Sequence, residues 1–149
     1  MSGRRESIKY DECGLDYVTL ANVQVFRCAE CGEYEPVLKN VAGLHRLIAM
    51  EVARSPVRLR GHEIRFWRKY LGKSGAEAAK ALSVKPETMS RLENDKMQIS
   101  VGAERFLRLM VMYDQPTQSY PLEDLLADKI DKKPDPIRLD LKSSWRVSV

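Results

Sequence analysis

The sequence predicts a mainly α fold with a small α+β N-terminal module: a β-hairpin plus helix, followed by a four- or five-helix helix-turn-helix domain. Three observations predict it. The stretch from Ser74 to Glu93 reads as two short helices joined by a tight turn. Residues 16–27 hold two β-branched and aromatic runs split by Ala21-Asn22. Apolar residues recur at helical spacing over 41–52 and again from 64 to 113.

From the N-terminus, Tyr17-Val-Thr-Leu20 and Val23-Gln-Val-Phe26 are the expected strands, with Asn22 suited to a tight turn between them. An amphipathic helix follows, with Asn40 as N-cap and Val41, Leu44, Leu47, Ile48 and Val52 along one side. Residues 54–60 carry Pro56 and three arginines and read as a connection. The expected division is a first domain at 1–55, a linker at 56–60, a helical domain at 61–115 and a short helix with an extended tail at 116–149.

In the helical domain, Ile64, Trp67 and Leu71 mark a buried stripe, and Gly72 ends that helix. Ser74 followed by Glu77 is a capping-box pattern, and Ala78, Ala79 and Leu82 form the inner face behind it. Ser83-Val-Lys85 is the turn, and Pro86 occupies the position that a first helical residue favours. The third helix, about 86–94, buries Met89 and Leu92. A fourth opens at Ser100 with Glu104 completing a partial capping box, and is expected to bury Phe106, Leu109, Met110 and Tyr113. Leu122, Leu125, Leu126 and Ile130 suit one more short helix. Ile137-Arg-Leu-Asp-Leu141 alternates as a strand does, a pattern able to join a partner's sheet edge.

Charge is distributed unevenly. Residues 1–57 carry 7 Lys and Arg against 8 Asp and Glu, residues 58–115 carry 12 against 7, and residues 116–149 carry 6 against 6. The whole surplus therefore sits on the segment with the helix pair, where it attracts a polyanion. With Met89 and Leu92 turned inward, Glu87 and Arg91 share the outward face, flanked by Thr88 and Ser90. Arg91 suits a bidentate contact to guanine, and Glu87 suits cytosine or an ion pair with Arg91. Lys85, Thr88, Ser90, Ser74 and Lys69 suit contacts that set the register on DNA.

No apolar run approaches the length of a membrane span, and the first residues lack the apolar core of a secretory signal. Three cysteines give no disulfide framework, so a cytoplasmic protein is expected. Two distant histidines and no nucleophile or phosphate-loop motif supply no catalytic set, so no enzyme is expected.

Residues 61–113, with the run Thr88-Met-Ser-Arg-Leu-Glu93-Asn94, resemble the Cro/cI-like (XRE) helix-turn-helix family. That resemblance implies a structural role for Glu93; Ser83 departs from the family's usual turn glycine. Tyr10 to Leu20, Val25 to Glu33 and Leu44 to Ala49 resemble the zinc-finger half of YgiT/MqsA-type antitoxins, which join such a domain to an XRE domain. The resemblance implies a homodimeric repressor of a palindromic double-stranded DNA operator, an antitoxin of a type II toxin–antitoxin system that autoregulates its own operon. The alternative it leaves open is an interaction module that neutralises an mRNA-cleaving toxin, with DNA binding secondary. It also implies zinc at Cys28 and Cys31, but the family's first Cys-x-x-Cys pair is absent, leaving an incomplete, degenerate zinc-ribbon-like site.

Overall fold

The computed structural model describes residues 2–113, 128–141 and 144–148. It corrects the expected fold class. The protein is α+β rather than mainly α: the described residues form five helices and a five-stranded mixed sheet. Two compact units divide it: residues 1–48 with 135–149, and residues 49–134. The division falls inside a helix rather than at 56–60, and the expected tail is part of the first unit's sheet.

In the first unit, β1 (Ser2–Lys9) pairs antiparallel with β2 (Val18–Arg27), Arg4 lying opposite Val25. The expected hairpin at 16–27 is one continuous strand. Asn22 takes φ +60° inside it, and the register shifts by one residue there: Glu6 faces Val23, but Ile8 faces Leu20. Asn22 thus marks a β-bulge, a use of left-handed backbone that asparagine tolerates as it would a turn. The bulge keeps Val18, Leu20, Val23 and Val25 all buried although the strict period of two is broken.

β3 (Tyr34–Val37) pairs antiparallel with residues 24–27 of β2. β4 (Ile137–Leu141) pairs parallel with residues 18–21, and β5 (Trp145–Val147) closes against β4. The alternating tail segment therefore extends this chain's own sheet, not a partner's. Leu139 and Trp145 are buried, and the Trp145 indole N–H donates to the Lys39 carbonyl at 2.6 Å. α1 (Val41–Arg54) is capped as expected: the Asn40 side-chain oxygen accepts from the Gly43 N–H at 3.1 Å.

In the second unit, the segment read as a linker is built in. Val57 and Leu59 are buried, and Val57 bridges Ile130 in parallel, so Ile130 is extended rather than helical. Four helices follow: α2 (Gly61–Tyr70), α3 (Gly75–Ala81), α4 (Pro86–Glu93) and α5 (Val101–Tyr113). Ile64 and Trp67 are buried on α2, and Gly72 ends it at φ +68°.

α5 departs from expectation. Its buried stripe is Glu104, Leu107, Arg108 and Val111, whereas Phe106, Leu109 and Tyr113 are exposed. Glu104 is not a capping residue; Ser100 caps the helix by accepting from the Ala103 N–H, and Glu104 points inward. The expected helix residues Leu122, Leu125 and Leu126 lie outside the described residues.

Candidate nucleic-acid interface

α3 and α4 are joined by a turn whose parts are legible one by one. The Ser74 hydroxyl accepts from the Glu77 N–H at 3.1 Å, and the Glu77 carboxylate accepts from the Ser74 N–H at 2.7 Å. These bonds satisfy two helix-end donors that would otherwise be orphaned. They also hold the Glu77 carboxyl below its ordinary range, the Ser74 backbone N–H contributing most and its hydroxyl next. At the other end of α3, the Val84 N–H reaches the Ala79 carbonyl at 2.9 Å, and Ser83 sits at φ +55°. A serine there carries the strain that a glycine would not. Lys85 then takes extended backbone, and Pro86 opens α4 with its fixed φ.

Met89 and Leu92 anchor α4, each buried. Burial of each contributes about 1.5–3 kcal/mol, enough to fix which face of so short a helix turns outward. The end of α4 is tied to α2. Glu93 accepts from Arg68, with a second bond at 3.3 Å, and lies 3.6 Å from Arg65. Arg68 also donates to the Lys73 carbonyl at 3.1 Å, so one guanidinium joins α2, its exit turn and α4. The structural role that the resemblance implied for Glu93 has this geometry.

Lys69, Ser74, Lys85, Glu87, Ser90 and Arg91 are exposed, and Thr88 is half-buried between them and the core. Glu87 and Arg91 form no ion pair, and among the described residues neither side chain has a partner. The intrahelical pairing considered for them is not made. Both are held outward only by the anchoring of Met89 and Leu92.

The charge surplus also falls on one of the two units. Residues 49–134 carry 16 Lys and Arg against 12 Asp and Glu, while the other unit carries 9 against 9. Most arginines of the second unit are paired: Arg54 with Glu51, Arg58 and Arg108 with Glu104, Arg60 with Asp131, Arg65 and Arg68 with Glu93. Among the described residues Lys69, Lys80, Lys85, Arg91, Lys96 and Lys133 are exposed with no ion-pair partner. All but Lys133 fall on the end of α2, on α3, or on α4 and the residues that flank it. Lys80 and Lys96 were not singled out by the sequence, because counting charge does not separate stitched cations from free ones.

Cys28 and Cys31 stand on a tight turn after β2. The Cys28 N–H donates to the Glu33 carbonyl at 2.8 Å, and Gly32, at φ +74°, donates to the Cys28 carbonyl at 3.2 Å. The Cys31 and Glu30 backbone N–H groups hold the Cys28 thiol below its ordinary value, with a smaller contribution from the Cys31 side chain. Structural zinc takes four ligands. Among the described residues no cluster of three or more His, Cys, Asp or Glu that could hold a metal is present. Cys13 and His45, residue types that could ligate zinc, are engaged elsewhere: Cys13 approaches the Tyr10 carbonyl at 3.6 Å, and His45 Nε2 lies 2.8 Å from the Tyr10 hydroxyl. Burial, then the charges of Cys13 and Glu12, push that hydroxyl up to about 12. Cys28 and Cys31 therefore supply half of a zinc set, and the residues around them do not complete it.

No family model matches the chain, and neither a curated protein nor a solved structure matches it. Among the described residues no helix is long and apolar enough to cross a membrane.

Proposed function

We propose that this protein is a sequence-specific DNA-binding transcriptional regulator that places α4 in the major groove. The observation that carries the reading is the pairing of a fixed inner face with a free outer one. Met89 and Leu92 are buried while Glu87 and Arg91, one turn apart, are exposed and, among the described residues, have no side-chain partner; Ser90 beside them is exposed and accepts from the Asn94 amide at 3.4 Å. Arg91 reads a base edge; Lys69, Lys85 and Ser74, with Thr88 and Ser90, meet phosphates and set the register.

The test begins with selection of bound duplexes from a random pool. Arg91→Ala is expected to lose about 1–3 kcal/mol of specific binding while non-specific binding changes little. Lys85→Ala is expected to lower the salt slope by about one unit. Equal losses of specific and non-specific affinity in Arg91→Ala would leave α4 without a base-reading role.

The regulator acts as a homodimer on a palindrome, with the two α4 helices about 34 Å apart. Support comes from α5, where Phe106, Leu109 and Tyr113 are 45%, 48% and 90% exposed on a helix whose opposite side is buried. A second copy of the same stripe covers it in a two-fold arrangement. Sedimentation at micromolar concentration should show a dimer that Leu109→Asp converts to monomer; a wild-type monomer refutes the pairing. The narrower role of autorepressing antitoxin rests on the resemblance of residues 10–49 to the YgiT/MqsA-type domain. Co-purification with an mRNA-cleaving toxin tests it, and a chain that captures none loses that role while keeping the DNA-binding one.

A further inference from the structure

One edge of β2 is shared by two strands that do not meet. Residues 19–27 of β2 pair with β1 on one side. On the other side, β4 takes residues 18–21 and β3 takes residues 24–27, leaving Asn22 and Val23 between them. The Asn22 side-chain amide reaches across to the Leu141 carbonyl at the end of β4. A cleft of about 340 Å³ opens at this gap, at the lower end of the range that holds small organic ligands.

Its lining is chemically divided. Among the described residues of the lining, Arg5 and Lys39 are the charged side chains and none is a carboxylate. Both are exposed, and among the described residues neither has an ion-pair partner; Arg5 donates one N–H to the Asn22 carbonyl at 3.3 Å, which leaves its other donors free. The apolar part is Val37, Leu141 and Trp145. The Trp145 N–H is occupied by the Lys39 carbonyl, so the indole is fixed and offers only its apolar surface.

We propose that this cleft binds a small carboxylate with an apolar body, its carboxylate between Arg5 and Lys39 and its body against Trp145, Val37 and Leu141. Two unopposed cations select the charge, and the fixed ring beside two aliphatic side chains selects the body. The site lies in the first unit, and its occupancy is independent of whether α4 binds DNA.

Benzoate is the first probe, benzamide its neutral isostere and phenyl phosphate its competitor for the anion position. Titration is followed on the Trp145 indole N–H resonance, assigned with Trp145→Phe, and the Trp67 resonance serves as reference. Benzoate should give a saturable shift of Trp145 and none of Trp67, and benzamide should bind at least about tenfold more weakly. Arg5→Gln and Lys39→Gln, both at exposed positions, should each weaken benzoate by about tenfold without moving the Trp67 resonance. Equal binding of benzoate and benzamide, or unchanged benzoate affinity in the double variant, would overturn the proposal. So would the lack of a saturable shift, or tighter binding of phenyl phosphate than of benzoate, which would assign the cleft to phosphates.

Discussion

Arg108→Ala should destabilise the second unit by about 3–5 kcal/mol, the cost of stranding a buried charge. Arg108 is fully buried, and its guanidinium serves two sets of acceptors. One set is the end of α1 and the chain beyond it: the carbonyls of Val52, Ala53 and Ser55 at 3.2, 2.9 and 3.2 Å, and that of Val57 at 2.7 Å. The last carbonyls of a helix have no partner within it and carry its negative pole, so a cation is the fitting cap. The other set is Glu104, bonded at 3.0 and 3.2 Å, which also accepts from Arg58 and from the Leu59 N–H. Removing Arg108 leaves four carbonyls short of a donor and a buried carboxylate with less positive charge around it. Lysine is a poor rescue, because a point charge with three donors cannot span both sets. Urea unfolding followed through Trp67 in a Trp145→Phe background reads this unit alone. Arg54→Ala is the comparison, since its exposed pair with Glu51 contributes about 0–1 kcal/mol. If Arg108→Ala costs no more than Arg54→Ala, the network is not what fixes α1 against α5.

That network explains where the sequence was misleading. α5 carries apolar residues at 101, 106, 107, 109, 110, 111, 112 and 113, nearly all round the helix, so apolar spacing alone leaves its rotation undetermined. Charge then gives the wrong answer: Glu104 and Arg108 look like a solvated pair four residues apart, yet they are core residues that satisfy one another. The sheet was hidden for a different reason. β1 reads Ser-Gly-Arg-Arg-Glu-Ser-Ile-Lys, and among its described side chains only Ile8 is buried, so no alternation announces it. β4 does alternate, but its partner lies more than a hundred residues earlier, and pattern reveals a strand without revealing its neighbour. Asn22 signals left-handed backbone in either case, and only pairing with β1 distinguishes a bulge from a turn.

Local chemistry was legible where it is decided locally. Ser74 with Glu77, Pro86 after Lys85, Asn40 before α1 and the inward pair Met89 and Leu92 all depend on neighbours within a few residues, and each takes the predicted geometry. The outward face of α4 follows from that last pair, so the exposure of the candidate contacts was within reach of the sequence. What was not within reach is which cations are free. Arg65 and Arg68 look as available as Lys69, and only the position of Glu93, more than twenty residues on, removes them from the surface charge.

Gly61→Ala should destabilise the same unit by about 1–3 kcal/mol, the range for forcing extra volume into a packed contact. The sign is the informative part, because within a helix alanine is normally favoured over glycine by about 1 kcal/mol. Gly61 is the first residue of α2, and a Cβ built on it would lie 2.3 Å from the Glu93 carbonyl oxygen and 2.9 Å from that of Leu92. Those atoms are backbone at the end of α4 and cannot swing away as a side-chain tip would. The Gly61 N–H donates to the Asp95 carboxylate at 2.7 Å, which pins the two ends together at the same point. Relief therefore requires α2 and α4 to separate, and α4 is the helix that presents Glu87 and Arg91. A loss of specific DNA affinity should accompany the loss of stability even though Gly61 itself is buried. Gly75→Ala supplies the contrast: it also opens a helix, but no atom lies within 4 Å of the added carbon, so its stability should be unchanged or raised by up to about 1 kcal/mol. Chemical denaturation of the two variants side by side decides the matter. Two shifts of the same sign and size would mean that the α2–α4 contact has room to spare, and that the placement of the reading face depends on something other than this approach.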